Sequence, residues 1–233
     1  MTEFRPGSFQ ILPTAIKNLL IINVLVFLAQ TFVGNNLNFS IDDLFALHSW
    51  QSKLFQPWQF VTHLFMHGSI GHIFSNMFAL WMFGSILENL WGPRRFIVFY
   101  LACGLGAALC HMVVLYVENQ HLLNLFHSLS LPEQSAASAA VTQRIDEATI
   151  GASGAVFGCL AAFGFLFPNT YIYLYFFLPL KAKWFVIIYA GLELMQAVQN
   201  SAGDNVAHVA HLGGALVGIL LVWFWNKNNH RNF

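Results

Sequence analysis

Six apolar runs dominate the pattern of hydrophobic and polar positions along the chain. They cover residues 16–33, 71–90, 96–117, 151–167, 184–199 and 206–225. Each run is close to the ~20 residues that an α-helix needs to cross a bilayer. Hydrophobic residues make up 57% of the chain and charged residues 9%, whereas about a quarter of a soluble domain is charged. The pattern predicts an all-α, polytopic membrane protein with six transmembrane helices in a single domain, residues 1–233.

Three segments between the runs do not fit a transmembrane helix. Residues 34–62 mix charged residues with tryptophans, which favour the membrane interface, so we expect a membrane-embedded and partly helical first loop. Residues 118–150 are polar and rich in Ser, Ala and Gln, and are predicted to form one long loop. Residues 171–180 are apolar but too short to cross, so we expect them to lie in the interface or to fold back.

The distribution of basic residues orients the predicted helices. Such residues accumulate in short cytoplasmic loops. With both termini in the cytoplasm, eight of the ten Lys and Arg residues lie on that side, leaving Lys53 and Arg144 outside. The N-terminal ends of the second, fourth and sixth helices then share the outer side of the membrane. The first run lacks a small-residue cleavage site, so we expect it to be retained as a span.

Unusual polar residues lie at these three outer ends. They are His72 and Asn76 in the second helix, Ser153 in the fourth, and His208 and His211 in the sixth. Ionisable groups inside a membrane are rare and indicate function by default. His72 and Asn76 are four residues apart and share one helix face. They suit stabilisation of an oxyanion, and interhelical hydrogen bonds are the alternative interpretation.

Two stripes of small residues predict how the fourth and sixth helices pack. The first stripe consists of Gly154, Gly158 and Ala162. The second consists of Ala207, Gly214 and Gly218, with one imidazole, His211, on the same face. Because small residues let helices approach closely, packing of these faces would bring Ser153 within hydrogen-bonding distance of His211. That pair is a weak nucleophile beside a base. The alternatives are a small residue at a helix contact for Ser153 and a hydrogen-bonded core histidine for His211.

The sequence predicts no third, orienting acid beside this pair. Glu88 lies near the inner end of the second helix and Glu193 in the outer half of the fifth, away from the outer ends of the fourth and sixth. Asp204 lies about 10 Å above His211, at ~1.5 Å per residue. We therefore expect a Ser153–His211 dyad rather than a triad.

The order of these motifs resembles that of the rhomboid family of intramembrane serine proteases. Residues 151–154, Gly-Ala-Ser-Gly, are similar to the family's GxSG motif, and residues 72–76 to its HxxxN motif. Residues 210–218, which include His211, resemble its AHxxGxxxG motif, and two further histidines precede HxxxN as in the family. The resemblance covers roughly residues 16–225.

The resemblance implies an endopeptidase that cleaves transmembrane helices near their outer ends. It implies Ser153 as nucleophile, His211 as general base, and an oxyanion hole from His72, Asn76 and the Ser153 backbone N–H. The cleavage would occur in a water-filled cavity entered past the second and fifth helices. Structural roles fall to His63, His67, Glu88, Gly151, Gly154, Gly214 and Gly218.

One position departs from the family pattern. Gln59 follows Trp58 where arginine is common, which should alter how the first loop is anchored while leaving the chemistry intact. The role of His208 is open between a second base and a plain capping residue, and the capping residue is favoured.

Two other functions stay open beside the protease. One is an inactive rhomboid relative that binds transmembrane helices, although the intact Ser, His and Asn set argues against it. The other is a transporter or metal-binding protein, suggested by the ten histidines of the chain. That function leaves Ser153 and Asn76 without a role.

The expected partners follow from composition and from the resemblance. They are transmembrane-helix substrates and the lipid bilayer, with no nucleic acid, because the formal net charge is zero. We expect no cofactor and no metal. Short termini favour the inner membrane of a bacterium as the location. The sequence carries no signal for the natural substrate or for an oligomeric state.

Overall fold

The computed structural model describes residues 9–34, 40–174, 178–198 and 205–229. Its helices are α1 (Thr14–Gly34), α2 (Ile41–Phe45), α3 (Gln59–Thr62), α4 (Ile70–Ala79), α5 (Ser85–Trp91), α6 (Pro93–Ser128), α7 (Leu131–Ile145), α8 (Ser153–Leu166), α9 (Ala182–Val198) and α10 (Asn205–Asn229). A 3₁₀ turn (His63–Phe65) follows α3, and a π-helical turn (Leu80–Gly84) joins α4 to α5. Some positions used above lie outside the described part. They are two of the basic residues counted as cytoplasmic, Arg5 and Arg231, the last residue of the fifth apolar run, Gln199, and Asp204, together with the side chain of Ala207.

Four helical stretches of the described part are long and apolar enough to cross a membrane. They are Thr14–Phe32, Ile70–Trp91, Pro93–Ser128 and His208–Lys227. These stretches coincide with four predicted spans and confirm a multi-pass membrane protein. The other two predicted spans are the shorter helices α8, with 14 residues, and α9, with 17. The count of six spans therefore stays a prediction.

Helix α8 lies at the centre of the molecule. Ten of its 14 residues are buried, and it packs against α6, α9 and α10. At ~1.5 Å per residue it is about 21 Å long, less than the ~30 Å hydrocarbon thickness. Because neighbouring helices rather than lipid surround it, this short helix need not match the bilayer.

The predicted contact between the two small-residue stripes is present. A Cβ atom added to Gly214 would lie 2.0 Å from the carbonyl oxygen of Gly154. One added to Gly218 would lie 2.7 Å from the carbonyl oxygen of Gly158. On its other side, Gly154 faces α6, where an added Cβ would lie 2.3 Å from the Cβ of Ala107. The backbones of α8 and α10 therefore touch directly, as close packing of small residues allows.

The prediction of one long loop over residues 118–150 is wrong. Helix α6 continues to Ser128, and α7 occupies Leu131–Ile145. Ser130 is the N-cap of α7 and forms a capping box with Glu133, whose carboxylate accepts hydrogen bonds from the Ser130 backbone N–H and hydroxyl. Residues 119–145 contain no glycine and many good helix formers, so their polarity marks a solvent-exposed helix rather than a loop.

The short apolar segment before α9 folds back as an antiparallel hairpin. Its strands are β1 (Tyr171–Leu174) and β2 (Leu178–Lys181), paired from Tyr171 with Lys181 to Leu174 with Leu178. One of the two expected outcomes for residues 171–180 is therefore confirmed. The hairpin is a small addition to an otherwise helical fold.

Gln59 is the hydrogen-bonding centre of the first loop. Its side chain is fully buried. The Oε1 atom accepts from the backbone N–H groups of Gln56, at 3.0 Å, and His48, at 3.3 Å. The Nε2 atom donates to the carbonyl oxygen of Leu54, at 2.9 Å, and to two carbonyls at the end of α2. A neutral amide thus satisfies donors and acceptors together, which a guanidinium, a donor only, cannot do.

Glu88 fixes α1 to the rest of the fold. It is buried in α5, and its two carboxylate oxygens each accept one backbone N–H, from Ala15 and Ile16, both at 2.8 Å. These amides belong to the first turn of α1, where N–H groups lack intrahelical partners and the helix dipole favours negative charge. Glu88 is therefore a structural acceptor far from the outer ends of α8 and α10.

Candidate active site

Ser153 is the first residue of α8, and the backbone before it is hydrogen-bonded to the first loop and to the 3₁₀ turn that follows that loop. Gly151 has φ of +136°, which favours glycine. Its N–H donates to the carbonyl oxygen of His63 at 2.9 Å. Two residues earlier, Thr149 pairs with Leu47 of the first loop through two backbone hydrogen bonds of 2.9 Å. The serine thus lies where a fixed turn meets a helix N-terminus.

The hydroxyl of Ser153 contacts the imidazole of His211. The distance from Ser153 Oγ to His211 Nε2 is 2.8 Å, which is a hydrogen bond. The His211 ring stacks on the ring of Phe157, one turn after Ser153, with centroids 4.3 Å apart and an interplanar angle of 4°. This is the contact that the two stripes predicted, and the stacking fixes the plane of the imidazole.

A carboxylate reaches the other side of His211, which corrects the expectation that no acid does. Glu193 Oε2 lies 3.0 Å from His211 Nδ1 and 2.6 Å from His208 Nδ1. All three side chains are mostly buried, with 10% of Glu193, 11% of His208 and 18% of His211 exposed. The geometry is therefore a chain of hydrogen bonds from Ser153 to a carboxylate rather than an isolated pair.

Depth along the helices is the sequence signal that could have identified Glu193. The fifth predicted span ends on the outer side at residue 199, six residues beyond Glu193, whereas the sixth begins there at residue 206, five before His211. At ~1.5 Å per residue, both groups lie about 8–9 Å below the same surface. The sequence reasoning compared only helix ends and so missed this match.

His72 faces the turn before Ser153. A Cβ added to Gly151 would lie 3.0 Å from His72 Nε2 and 3.5 Å from Ser153 Oγ, so both atoms border the same small space. His72 Nδ1 accepts a long hydrogen bond, 3.4 Å, from the N–H of Gly68. A neutral imidazole with an accepting Nδ1 carries its proton on Nε2. His72 therefore presents a donor towards the serine turn.

Asn76 supplies a buried amide one turn along α4 from His72. Its Nδ2 atom has no hydrogen-bond partner among the described residues, and the residue is 6% exposed. An unsatisfied buried donor costs roughly 1–3 kcal/mol, so such groups in native proteins call for an explanation. A donor held ready for a ligand oxygen is one such explanation.

His63 and His67 support the loop before α4. His63 donates from Nδ1 to the carbonyl oxygen of Gln59 at 2.7 Å, and the backbone N–H of His67 donates to Gln30 Oε1 at 3.0 Å. The His67 ring packs edge-on against His72, with centroids 5.0 Å apart. Burial lowers the pKa of both imidazoles to about 4, so both are neutral at pH 7.

A cavity opens beside the Ser153–His211 contact. Its empty space is about 420 Å³, part of it continuous with solvent. The lining includes both of these residues and the polar side chains of His63, His111 and Thr149. There is therefore room for water next to the hydroxyl, in a place where the surrounding helices are otherwise tightly packed.

Comparison with known proteins identifies the family. A family model described as "Rhomboid domain" matches residues 54–228. The chain belongs to the rhomboid family. The match includes the GxSG turn, α8, α9 and α10 up to residue 228, so the Ser153, His211 and Glu193 side chains and the His72–Asn76 pair lie within the rhomboid domain.

Rhomboid relatives occur in plants and bacteria. "Rhomboid-like protein 11, chloroplastic" from Arabidopsis thaliana is 31% identical over 221 residues, covering 90% of this chain and 64% of that protein. "RHOMBOID-like protein 12, mitochondrial" from the same plant is 30% identical, covering 82% of this chain and 51% of that protein. "Rhomboid protease GluP" from Bacillus subtilis is 27% identical, covering 88% and 33%. The chain thus spans between a third and two thirds of the length of these rhomboids.

Proposed function

We propose that this rhomboid is an intramembrane serine endopeptidase that cleaves transmembrane segments near their outer ends. The observation that supports the proposal most directly is the 2.8 Å contact of Ser153 Oγ with His211 Nε2 beside a cavity. A serine hydroxyl is a weak nucleophile until an adjacent base accepts its proton. The name of one relative, a rhomboid protease, agrees with this chemistry.

In the proposed acylation step, Ser153 Oγ attacks the carbonyl carbon of a substrate peptide bond. Its proton passes to His211 Nε2, which returns it to the leaving amine as the peptide bond breaks. Water from the cavity then attacks the acyl-enzyme, with His211 again acting as base, and releases the second product. The substrate helix must be locally unwound, because a hydrogen-bonded helical carbonyl is shielded.

The negative charge that develops on the carbonyl oxygen requires donors. We propose His72 Nε2, the Asn76 amide and the backbone N–H of Ser153 as those donors. The first N–H groups of a helix have no intrahelical partner and lie at the positive end of its dipole. Loss of one such donor typically costs about 100- to 1,000-fold in kcat.

The experiment uses a synthetic single-span peptide with Gly and Ala in the outer third of its helix and a fluorophore–quencher pair across them. The purified protein and the peptide, here called the probe peptide, are reconstituted in the same lipid vesicles. Cleavage by the wild type, abolished in both Ser153→Ala and His211→Ala, is expected. Fluorophosphonate labelling should likewise depend on Ser153. Undiminished cleavage in either variant would refute the mechanism.

An inactive relative that only binds transmembrane helices gives a different result in the same assay. It would retain the probe peptide in detergent pull-down, without cleavage and without fluorophosphonate labelling. The Ser153–His211 contact and the cavity beside it favour the enzyme, because helix binding alone requires neither.

The proposed location is the inner membrane of a bacterium, with both termini in the cytoplasm. The charge distribution, in which eight of the ten Lys and Arg residues fall inside, supports the orientation of the termini. Protease accessibility of a tag placed at each terminus, in intact cells and in inverted vesicles, tests the orientation. Protection of both tags in intact cells is the expected outcome.

A further inference from the structure

The geometry points to Glu193 as a positioning residue that holds His211 in the tautomer and orientation needed to accept the Ser153 proton. This inference rests on the proposed function. It replaces the expected serine–histidine dyad with a serine, a histidine and a carboxylate contributed by three different helices, α8, α10 and α9. His208 holds the carboxylate from its second side.

Hydrogen-bond chemistry fixes the proton on His211. An ionised carboxylate only accepts, so the 3.0 Å contact of Glu193 Oε2 with Nδ1 requires a proton on Nδ1 of the neutral ring. The Nε2 atom then carries a lone pair, and it lies 2.8 Å from Ser153 Oγ. Without an acceptor at Nδ1, the opposite tautomer, which cannot accept the serine proton, becomes accessible.

The same carboxylate stabilises the charged state formed during the reaction. When Nε2 takes the serine proton, the imidazole becomes a cation, with its Nδ1–H still donating to Glu193. The proton on Nδ1 stays there, and the carboxylate is not itself protonated. Because Glu193 is only 10% exposed, water screens this attraction less than it would at a surface.

The helix geometry explains why one oxygen serves two rings. His208 and His211 are three residues apart on α10 and share one face, which packs against α9. Both Nδ1 atoms approach Glu193 Oε2, at 2.6 and 3.0 Å. The negative charge of the mostly buried Glu193 carboxylate is therefore stabilised by two hydrogen-bond donors, where a single donor would leave it poorly solvated. The unassigned role of His208 is thereby explained as support for the carboxylate.

A metal site is the competing interpretation of these three side chains. Their candidate ligand atoms lie within 4.8 Å of one another. However, the distances of 2.6 and 3.0 Å from the two Nδ1 atoms to Glu193 Oε2 suit direct hydrogen bonds from protonated nitrogens. A metal would have to displace both protons, and it would also withdraw His211 from its role as base.

Two substitutions separate charge from size. Glu193→Gln keeps the size and removes the charge, whereas Glu193→Asp keeps the charge and shortens the reach. A packing role predicts that Gln is the milder change. A positioning role predicts the reverse, with kcat on the probe peptide lowered about 10- to 1,000-fold in Glu193→Gln and KM little changed. This loss of kcat should be smaller than the ~10⁴-fold loss that follows when the acid of a serine protease triad is replaced by its amide.

Glu88→Gln is the matched control, since Glu88 is also a buried carboxylate with two hydrogen bonds. It should lower thermal stability and leave kcat per folded molecule unchanged. Fluorophosphonate labelling, which needs no helix binding but uses the same attack by Ser153, should also slow in Glu193→Gln. Rates are normalised to folded protein measured by size-exclusion chromatography. If Glu193→Gln does not fold, Glu193→Asp is compared with Glu193→Ala, and the variant that keeps the charge should be faster.

Several outcomes would overturn the positioning role. One is a Glu193→Gln kcat within about twofold of wild type, and another is a faster rate for Glu193→Ala than for Glu193→Asp. A third is activity that is lost on dialysis against a chelator and restored by Zn²⁺, which would make Glu193 a metal ligand. If Ser153→Ala is inactive while Glu193→Gln is fully active, only this inference fails. If Ser153→Ala is active, the proposed function itself fails.

Discussion

Adding one methyl group at Gly214 should separate the two helices that carry Ser153 and His211. The new Cβ would lie 2.0 Å from the carbonyl oxygen of Gly154 and 2.8 Å from its carbonyl carbon. Real Cβ atoms essentially never come closer than 3.0 Å to such atoms, so α10 must move from α8 by about 1 Å or more. The atoms in the way are backbone, so no rotamer change relieves the overlap.

The expected cost of Gly214→Ala falls on both stability and activity. Overpacking of this kind typically costs about 1–3 kcal/mol of unfolding free energy. Gly214 lies one turn after His211, so a 1 Å shift lengthens the 2.8 Å contact with Ser153 beyond hydrogen-bonding distance. A misplacement of that size can lower kcat ~100-fold.

The assay measures SDS-induced unfolding in detergent micelles and kcat on the probe peptide. Gly191→Ala is the control, because a Cβ added there meets no described atom within 4 Å. Gly191 lies inside α9, where replacing glycine by alanine is neutral or stabilises by about 0.5–1 kcal/mol. Wild-type kcat together with wild-type unfolding free energy in Gly214→Ala would refute direct backbone contact between α8 and α10.

Three further predictions concern Asn76, Gln59 and His63. Asn76→Ala should lower kcat about 100-fold without loss of stability, because the Nδ2 donor has no described partner in the folded protein; a drop in unfolding temperature with unchanged kcat would contradict this. Gln59→Ala should destabilise the protein by several kcal/mol, at about 1 kcal/mol per lost hydrogen bond. Thermal unfolding measures this, with exposed Gln143→Ala as control. Because the folded-state pKa of His63 is lowered from 6.5 to about 4, the unfolded chain binds more protons as pH falls through that window. The contribution of His63 to the free energy of unfolding should be fully present above pH 6.5 and should fall by ~3 kcal/mol towards pH 4. Unfolding temperatures that do not change between pH 7 and 4.5 would exclude a neutral, buried His63.

The sequence predicted the central helix contact because its physical cause is local. Small residues at helical spacing on two apolar runs specify close approach, and an approach through Gly154 and Gly214 leaves little choice for the neighbouring Ser153 and His211. The polytopic membrane character followed equally directly from the lengths of the apolar runs. In both cases the pattern within single apolar runs is sufficient for the prediction.

The features that sequence reasoning missed depend on relations between distant segments. Glu193 contacts His211 because α9 and α10 run in opposite directions and place the two residues at one depth, which no local motif records. Gln59 satisfies five backbone groups drawn from several turns of the first loop. Helix α7 was missed for another reason. Its polar composition suggests a loop, but the segment contains no glycine and is equally compatible with a solvent-exposed helix.

The carboxylate of Glu88 ties a helix outside the recognised family region to the inside of that region. The matched residues begin at 54, after α1 has ended, yet the first turn of α1 supplies both hydrogen bonds to Glu88. Trimming the chain to 54–228 would remove both of the backbone donors that hydrogen-bond the buried Glu88 carboxylate, which is costly. Anyone preparing a minimal fragment should therefore keep α1, because the boundary of sequence similarity is not a boundary of the folded unit.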